Sequence, residues 1–225
     1  MFIGHFGLAL ALKRAAPRTS LGTLALATEF ADLLWPGFLL AGIEHVRIAP
    51  GITKVTPLDF YDYPISHSLL TDAGWAAAAG ALYFAIRRSA RGAWILIVAV
   101  LSHWLLDFVV HRPDMPLYPG GKLYFGLSLW NSVGATVAVE LPIFVAGLCL
   151  YLTSTRAKDW VGRYGFWSVL VLLMAIWASS LKGMPPPSLK ALELMALSLW
   201  LPIAWLYWAD HHREHVRPSA YSISE

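Results

Sequence analysis

The chain has 225 residues, of which 57% are hydrophobic and only 14% charged, against roughly 25% charged in a soluble domain. With a mean hydropathy of +0.56 it has too little polar surface to stay dispersed in water, which excludes a soluble globular protein. The formal charge of +3 gives no nucleic-acid signal, and no nucleic-acid partner is expected. A single cysteine, Cys149, excludes an intrachain disulfide and a thiolate zinc site; in its apolar run it reads as a small core residue.

Taken in chain order, the first segment, residues 1–12, is apolar and is followed by Lys13, Arg14 and Arg18. A signal peptide carries its positive charge in front of the apolar stretch, so this segment is expected to stay in the mature protein. It is too short to span a bilayer and predicts a half-helix. Six later runs approach the roughly 20 apolar residues that a spanning helix needs: 20–43, 67–87, 92–111, 131–153, 165–182 and 189–208. The expected fold is therefore all-α, a polytopic membrane helical bundle of about six spanning helices plus a short N-terminal half-helix. One domain covers 1–210, with a cytoplasmic tail at 211–225. Many of the 11 tryptophans fall near the ends of the runs, as in an interfacial belt.

Orientation follows from lysine and arginine placement. With loop 13–19 in the cytoplasm, six of the 17 Lys and Arg residues (Arg47, Lys54, Arg112, Lys122, Lys182, Lys190) face outward and the other eleven inward. This puts the N-terminus outside, the C-terminus in the cytoplasm, and the long loops 44–66 and 112–130 outside. Those loops are rich in Pro, Gly, Tyr and Asp, as segments covering a site are.

Ionisable residues inside a span are costly, about 2.5 to 3.5 kcal/mol each at a helix centre, and mark function. The third full run holds His103, Asp107 and His111. At i, i+4 and i+8 they drift by only about 40° and 80° around a helix and form one stripe. A His and a carboxylate so spaced can chelate one metal ion; a hydrogen-bonded pair joining two helices is the alternative. Glu29 and Asp32, at i and i+3, share a face near mid-membrane, where two carboxylates call for a cation, a shared proton or a basic partner. No Lys or Arg lies at that depth. His67 follows Ser66, read as the N-cap of the second run. His5 stands alone in the first segment, and Glu140 lies about ten residues into the fourth run, where Asn131, Ser132 or Thr136 could partner it. The charge-derived orientation places all of these between mid-membrane and the outer face. That common depth suits zinc or another divalent metal with room for water. The loop residues Glu44, His45, Asp59, Asp62 and Asp114, and the trio His211, His212 and His215, read as solvated. Arg112 and Lys122 flank the expected mouth, as phosphate attractors or interfacial anchors.

His5, Asp32, the His67-Ser68 pair and Ser102-His103-x-x-x-Asp107 together resemble the membrane-bound metal-dependent hydrolase family, the YdjM-like inner-membrane hydrolases, over roughly residues 1–115. The order His, Asp, His, His-x-x-x-Asp is also similar to the ligand order of zinc-dependent phospholipase C and related single-strand nucleases. The resemblance implies a first zinc held by Asp32, His67, His103 and Asp107. Asp107 would bridge to a second held partly by His5, with His111 and Glu140 in a further site. It departs from those soluble enzymes in lacking an N-terminal tryptophan ligand and a closing His and Glu pair, so one or two ions are expected rather than three. Metal-dependent hydrolysis of a phosphoester or lipid is the function implied, with Asp107 and Glu29 as catalytic candidates. A cation or proton transporter using the same cluster, and a non-catalytic scaffold, are the rivals.

Overall fold

The protein is described by a computed structural model covering residues 1–216. It is all-α and bundle-like, with three two-stranded ribbons at its ends. Helix α1 (Ile3–Ala15) is followed by α2 (Leu21–Thr28) and α3 (Phe30–Leu40). The antiparallel hairpin β1 (His45–Ile48) and β2 (Leu58–Asp62) leads into the single turn α4 (Pro64–His67). Helices α5 (Leu69–Arg87) and α6 (Ala90–Val110) form a hairpin, and a small ribbon of β3 (Met115–Pro116) and β4 (Tyr124–Phe125) follows. Next come α7 (Val133–Ser154), β5 (Thr155–Ala157) and a π-helical turn over Val161–Gly165 that continues as α8 (Phe166–Ser180). Finally α9 (Leu189–Leu197), α10 (Trp200–His211) and β6 (Arg213–His215) close the chain, β6 pairing with β5.

Serine side chains set many of the helix starts. Ser20, Ser68, Ser89, Ser132 and Ser188 each accept a hydrogen bond from the backbone N–H three residues on, satisfying a donor that the first turn leaves free. The cap of the second expected span is therefore Ser68 rather than Ser66. Ser66 and His67 belong to the separate turn α4 instead, because Pro64 suits a first helical position.

Among the described residues, five stretches are long and apolar enough to cross a membrane: Leu69–Arg87, Ala90–Val110, Val133–Ser154, Val161–Ser180 and Leu189–His211. The expected first full span is not continuous. It breaks at Glu29 into α2 and α3, bent by 58°, and counts as a sixth crossing only if the pair is taken together. Thr28 Oγ1 donates to the Ala25 carbonyl at 3.2 Å, a back-bond that bends helices. The Thr28 carbonyl accepts instead from His103 Nδ1 at 2.8 Å.

The N-terminal segment lies in the core, with Ile3, Phe6, Ala9 and Leu10 of α1 buried. It packs against α7 at Gly7 and Gly147. A Cβ at Gly147 would strike the Gly7 carbonyl oxygen, and one at Gly7 would lie 2.6 Å from Phe144 Cα, so only glycine allows the backbones this close. Cys149 is exposed on the outward face of α7, not in the core, because Gly147 and Tyr151 supply that helix's inward face.

A buried polar knot ties the other end of the bundle. Lys13 Nζ donates to Asp210 Oδ2 at 2.7 Å and to the Thr19 carbonyl at 3.0 Å. Asp210 also accepts from Leu21 N at 2.8 Å and Tyr151 Oη at 2.7 Å. Nearby, Asp159 accepts from Gly162 N and from His212. These bonds hold its carboxyl below the usual range, the backbone N–H first and the imidazole second. His211 ends α10 and His215 lies in β6, so residues 211–216 are part of the fold. Arg217 and the rest of the expected tail lie outside the described residues.

Candidate metal centre

Helix α6 delivers His103 and Asp107 along one face, with His111 as its C-cap. The bent pair α2 and α3 brings Glu29 and Asp32, α4 brings His67, and α1 brings His5. All but Asp32 are nearly or wholly buried; the Asp32 side chain is 30% exposed. Two groups each place one ligand atom per residue within 4.8 Å of the others: His5, His103 and Asp107, and Asp32, His67 and His103. The His5 and His103 rings stack with centroids 4.1 Å apart.

Hydrogen bonds on the far side of three rings fix which nitrogen faces the cluster. His103 Nδ1 faces the Thr28 carbonyl, which can only accept, so Nδ1 carries the proton. Ser66 gives its hydroxyl proton to Glu44 Oε2 at 2.6 Å, so it accepts from His67 Nδ1 at 2.6 Å. His111 Nδ1 faces Asp114 Oδ1 at 3.0 Å. In each case Nε2 is left pointing at a carboxylate. His67 Nε2 is 3.3 Å from Asp32 Oδ1, His103 Nε2 is 3.4 Å from Asp107 Oδ2 and 3.9 Å from Asp32 Oδ1, and His111 Nε2 is 3.5 Å from Asp107 Oδ2. A nitrogen lone pair facing a carboxylate oxygen repels it unless a proton or cation lies between them. His103 Nε2 has no hydrogen-bond partner among the described residues. Imidazoles anchored through Nδ1 beside carboxylates are the donor set that binds divalent metals, so the cluster could hold one.

Asp107 is the hub, since His5 Nε2 also approaches its Oδ1 at 3.0 Å and the Met1 α-ammonium pairs with that oxygen. Glu140 lies beside them but takes none of the partners expected of it. Its Oε2 accepts from Phe2 N at 3.0 Å, capping the entry to α1, while Thr136 bonds the Leu129 and Ser132 carbonyls.

No family model, curated protein or solved structure matches this chain. The site's chemistry therefore rests on its own geometry. A cavity of about 730 Å³ opens onto the cluster, touching Asp32, His67, Asp107, His111 and Glu140 at one end, within the roughly 300–1,000 Å³ of small-molecule sites. Its other walls are mostly apolar, among them Trp35, Phe60, Ile176, Trp177, Leu192 and Met195. Among the described residues no Lys or Arg lines it, so neither Arg112 nor Lys122 faces the cavity. Arg112 is bound to Asp59 and Asp114, and Lys122 is exposed. Glu29 is fully buried, lines none of the cavity, and neither of its carboxylate oxygens has a hydrogen-bond partner among the described residues.

Several loop acids expected to be solvated are not. Glu44 is 1% exposed and accepts from Ile65 N, Ser66 N and Ser66 Oγ. Asp59 and Asp114 are also buried, neutralised by arginines. Of these five loop residues, His45 and Asp62 form an open surface pair, at 2.8 Å. Tyr63, buried beside Asp114, was not anticipated either. Burial first and the Asp114 charge second hold its phenol well above the usual value, so it serves as a donor. Asp72 on α5 is likewise 1% exposed, with both oxygens unpartnered among the described residues. Its place inside the apolar run 67–87 is the signal in the sequence that could have found it.

Proposed function

We propose that the protein is a membrane-embedded, metal-dependent hydrolase. It acts on a phosphoester or lipid at the outer face of a bacterial cytoplasmic membrane, with the N-terminus outside and the C-terminus in the cytoplasm. The observation that carries this reading is the set of three anchored imidazoles whose Nε2 atoms face Asp32 and Asp107 at the end of an apolar cavity. Support also comes from the similarity of the motif order to metal-dependent membrane hydrolases. Asp32, His67 and His103 would hold one ion, and His5, His103 and Asp107 bound the neighbouring position. One His103 nitrogen cannot serve two ions, so a second ion needs Asp107 as the bridge and His111 or Glu140 to complete it. Zinc fits this His and Asp set. Such a metal polarises a phosphoryl oxygen and lowers the pKa of bound water toward about 7.

The residues of the chain do the rest. Asp107 lines the cavity and orients His5 and His111. Glu29 is shut away from the cavity and bonds none of these ligands among the described residues. The apolar walls exclude water and suit the chains of a lipid, in the manner of a phospholipase. A transporter finds less support: Phe6, Leu10, Leu24, Leu173 and Leu206 form an apolar layer between the cluster and the Lys13–Asp210 knot.

The test is turnover by protein in zinc-loaded nanodiscs, using phospholipids and soluble phosphoesters as substrates and phosphate or headgroup release as the readout. Hydrolysis abolished by a chelator, restored by zinc, and reduced at least about 100-fold in Asp107→Asn supports a hydrolase, on the scale of losing one electrostatic contributor to a transition state. Metal-loaded, folded protein that turns over no substrate of either class contradicts it.

A further inference from the structure

A second recess lies at the opposite end of the bundle from the metal cluster. It has a volume of about 300 Å³ and is lined by Arg18, Thr19, Ser20, Thr23, Tyr83, Ile86, Arg87 and Tyr207. Two arginines from separate elements, the α1–α2 loop and the C-terminus of α5, converge on it. Neither makes an ion pair among the described residues, and no carboxylate lines the recess. By contrast, Arg47 and Arg112 pair with Asp59, and Arg156 pairs with Glu214. Hydroxyl groups brace the recess: Thr19 Oγ1 and Tyr83 Oη are 2.7 Å apart, and Thr23 Oγ1 and Tyr207 Oη 2.8 Å. These bonds tie the α1–α2 loop to α5 and α2 to α10 beside the two arginines. Ser20 caps α2 at the same point, so the helix's partial positive charge has the same sign as the arginines. Arg88 stands in the adjoining turn and Arg91 in the first turn of α6.

We propose that this recess binds the phosphate group of an anionic membrane lipid, in the leaflet opposite the metal cluster. Guanidinium forks match phosphate oxygens two at a time, and basic pockets between membrane helices are a known mode of headgroup capture. The surroundings favour a lipid over free phosphate. Ile86 lines the recess and is 68% exposed, and Leu82, one turn back on α5, is 63% exposed. The lipid chains have an apolar helix face to follow directly beside the phosphate.

The experiment is native mass spectrometry of the full-length, detergent-solubilised protein. It is titrated with phosphatidylglycerol, with phosphatidylcholine and with inorganic phosphate. Phosphatidylglycerol is expected to bind more tightly than phosphatidylcholine. The Arg18→Ala/Arg87→Ala double variant should weaken phosphatidylglycerol binding about 25-fold, at about fivefold per arginine. Arg163→Ala, outside the recess, is expected to leave it unchanged, and the Arg18→Lys/Arg87→Lys double variant to retain the charge contribution but lose the two-point fit, binding between wild type and the alanine variant. Competition by inorganic phosphate at lower concentration than the lipid would overturn the lipid as the source. Equal phosphatidylglycerol affinity in wild type and the alanine double variant would overturn the site itself.

Discussion

Replacing Asp107 with alanine is expected to empty the whole metal centre, whereas His67→Ala should empty only half of it. Asp107 is the carboxylate that would serve both ions, while His103 offers one nitrogen to one ion and His67 belongs only to the group with Asp32 and His103. Losing an outer partner of a metal ligand costs roughly 10- to 100-fold in affinity, and losing a shared ligand costs more. If the wild type carries two ions, metal content should fall to background in Asp107→Ala and to about half in His67→Ala or His103→Ala, on protein that elutes as a single folded species. Asp107→Ala retaining the wild-type metal content would remove Asp107 from the ligand set.

Asp210→Ala should produce the largest loss of stability. The change strands Lys13, whose side chain is 9% exposed, with only the Thr19 carbonyl to satisfy it. It also leaves Leu21 N and Tyr151 Oη without an acceptor. Removing one partner of a buried ion pair costs about 3–5 kcal/mol, or roughly 10 °C in melting temperature for a chain of this size. Asp210→Asn, which keeps one acceptor oxygen for Leu21 N and turns an amide N–H toward Tyr151 Oη, should lose less. Metal content should be unaffected in both, since the knot is separated from the cluster by the apolar layer. An Asp210→Ala protein melting within a degree or so of wild type would show that the pair adds little.

Period and length made much of the bundle legible in the sequence. Apolar runs marked α5 to α8, and the His103, Asp107, His111 spacing marked the one face of α6 that carries the cluster. What stayed hidden depends on contacts between distant residues. Glu44 reaches Ser66 across 22 positions only because the β1–β2 hairpin folds the chain back. Nothing local distinguished it from a solvated loop acid. Lys13 looked like an orientation charge, and its partner is 197 residues away. The break at Glu29 arises where His103 takes the Thr28 carbonyl, an interaction with another helix that the run 20–43 does not reveal. The Ser66 cap failed for a local reason, since Pro64 starts its own turn and Ser68 offers a second serine two residues later.

The most direct test of the central claim is the metal content of wild-type protein purified in detergent without chelators, by inductively coupled plasma mass spectrometry. The anchored imidazoles facing Asp32 and Asp107 predict one or two equivalents of zinc or a similar divalent metal per chain. Folded protein with no metal above background, before and after incubation with zinc, would contradict a metal centre.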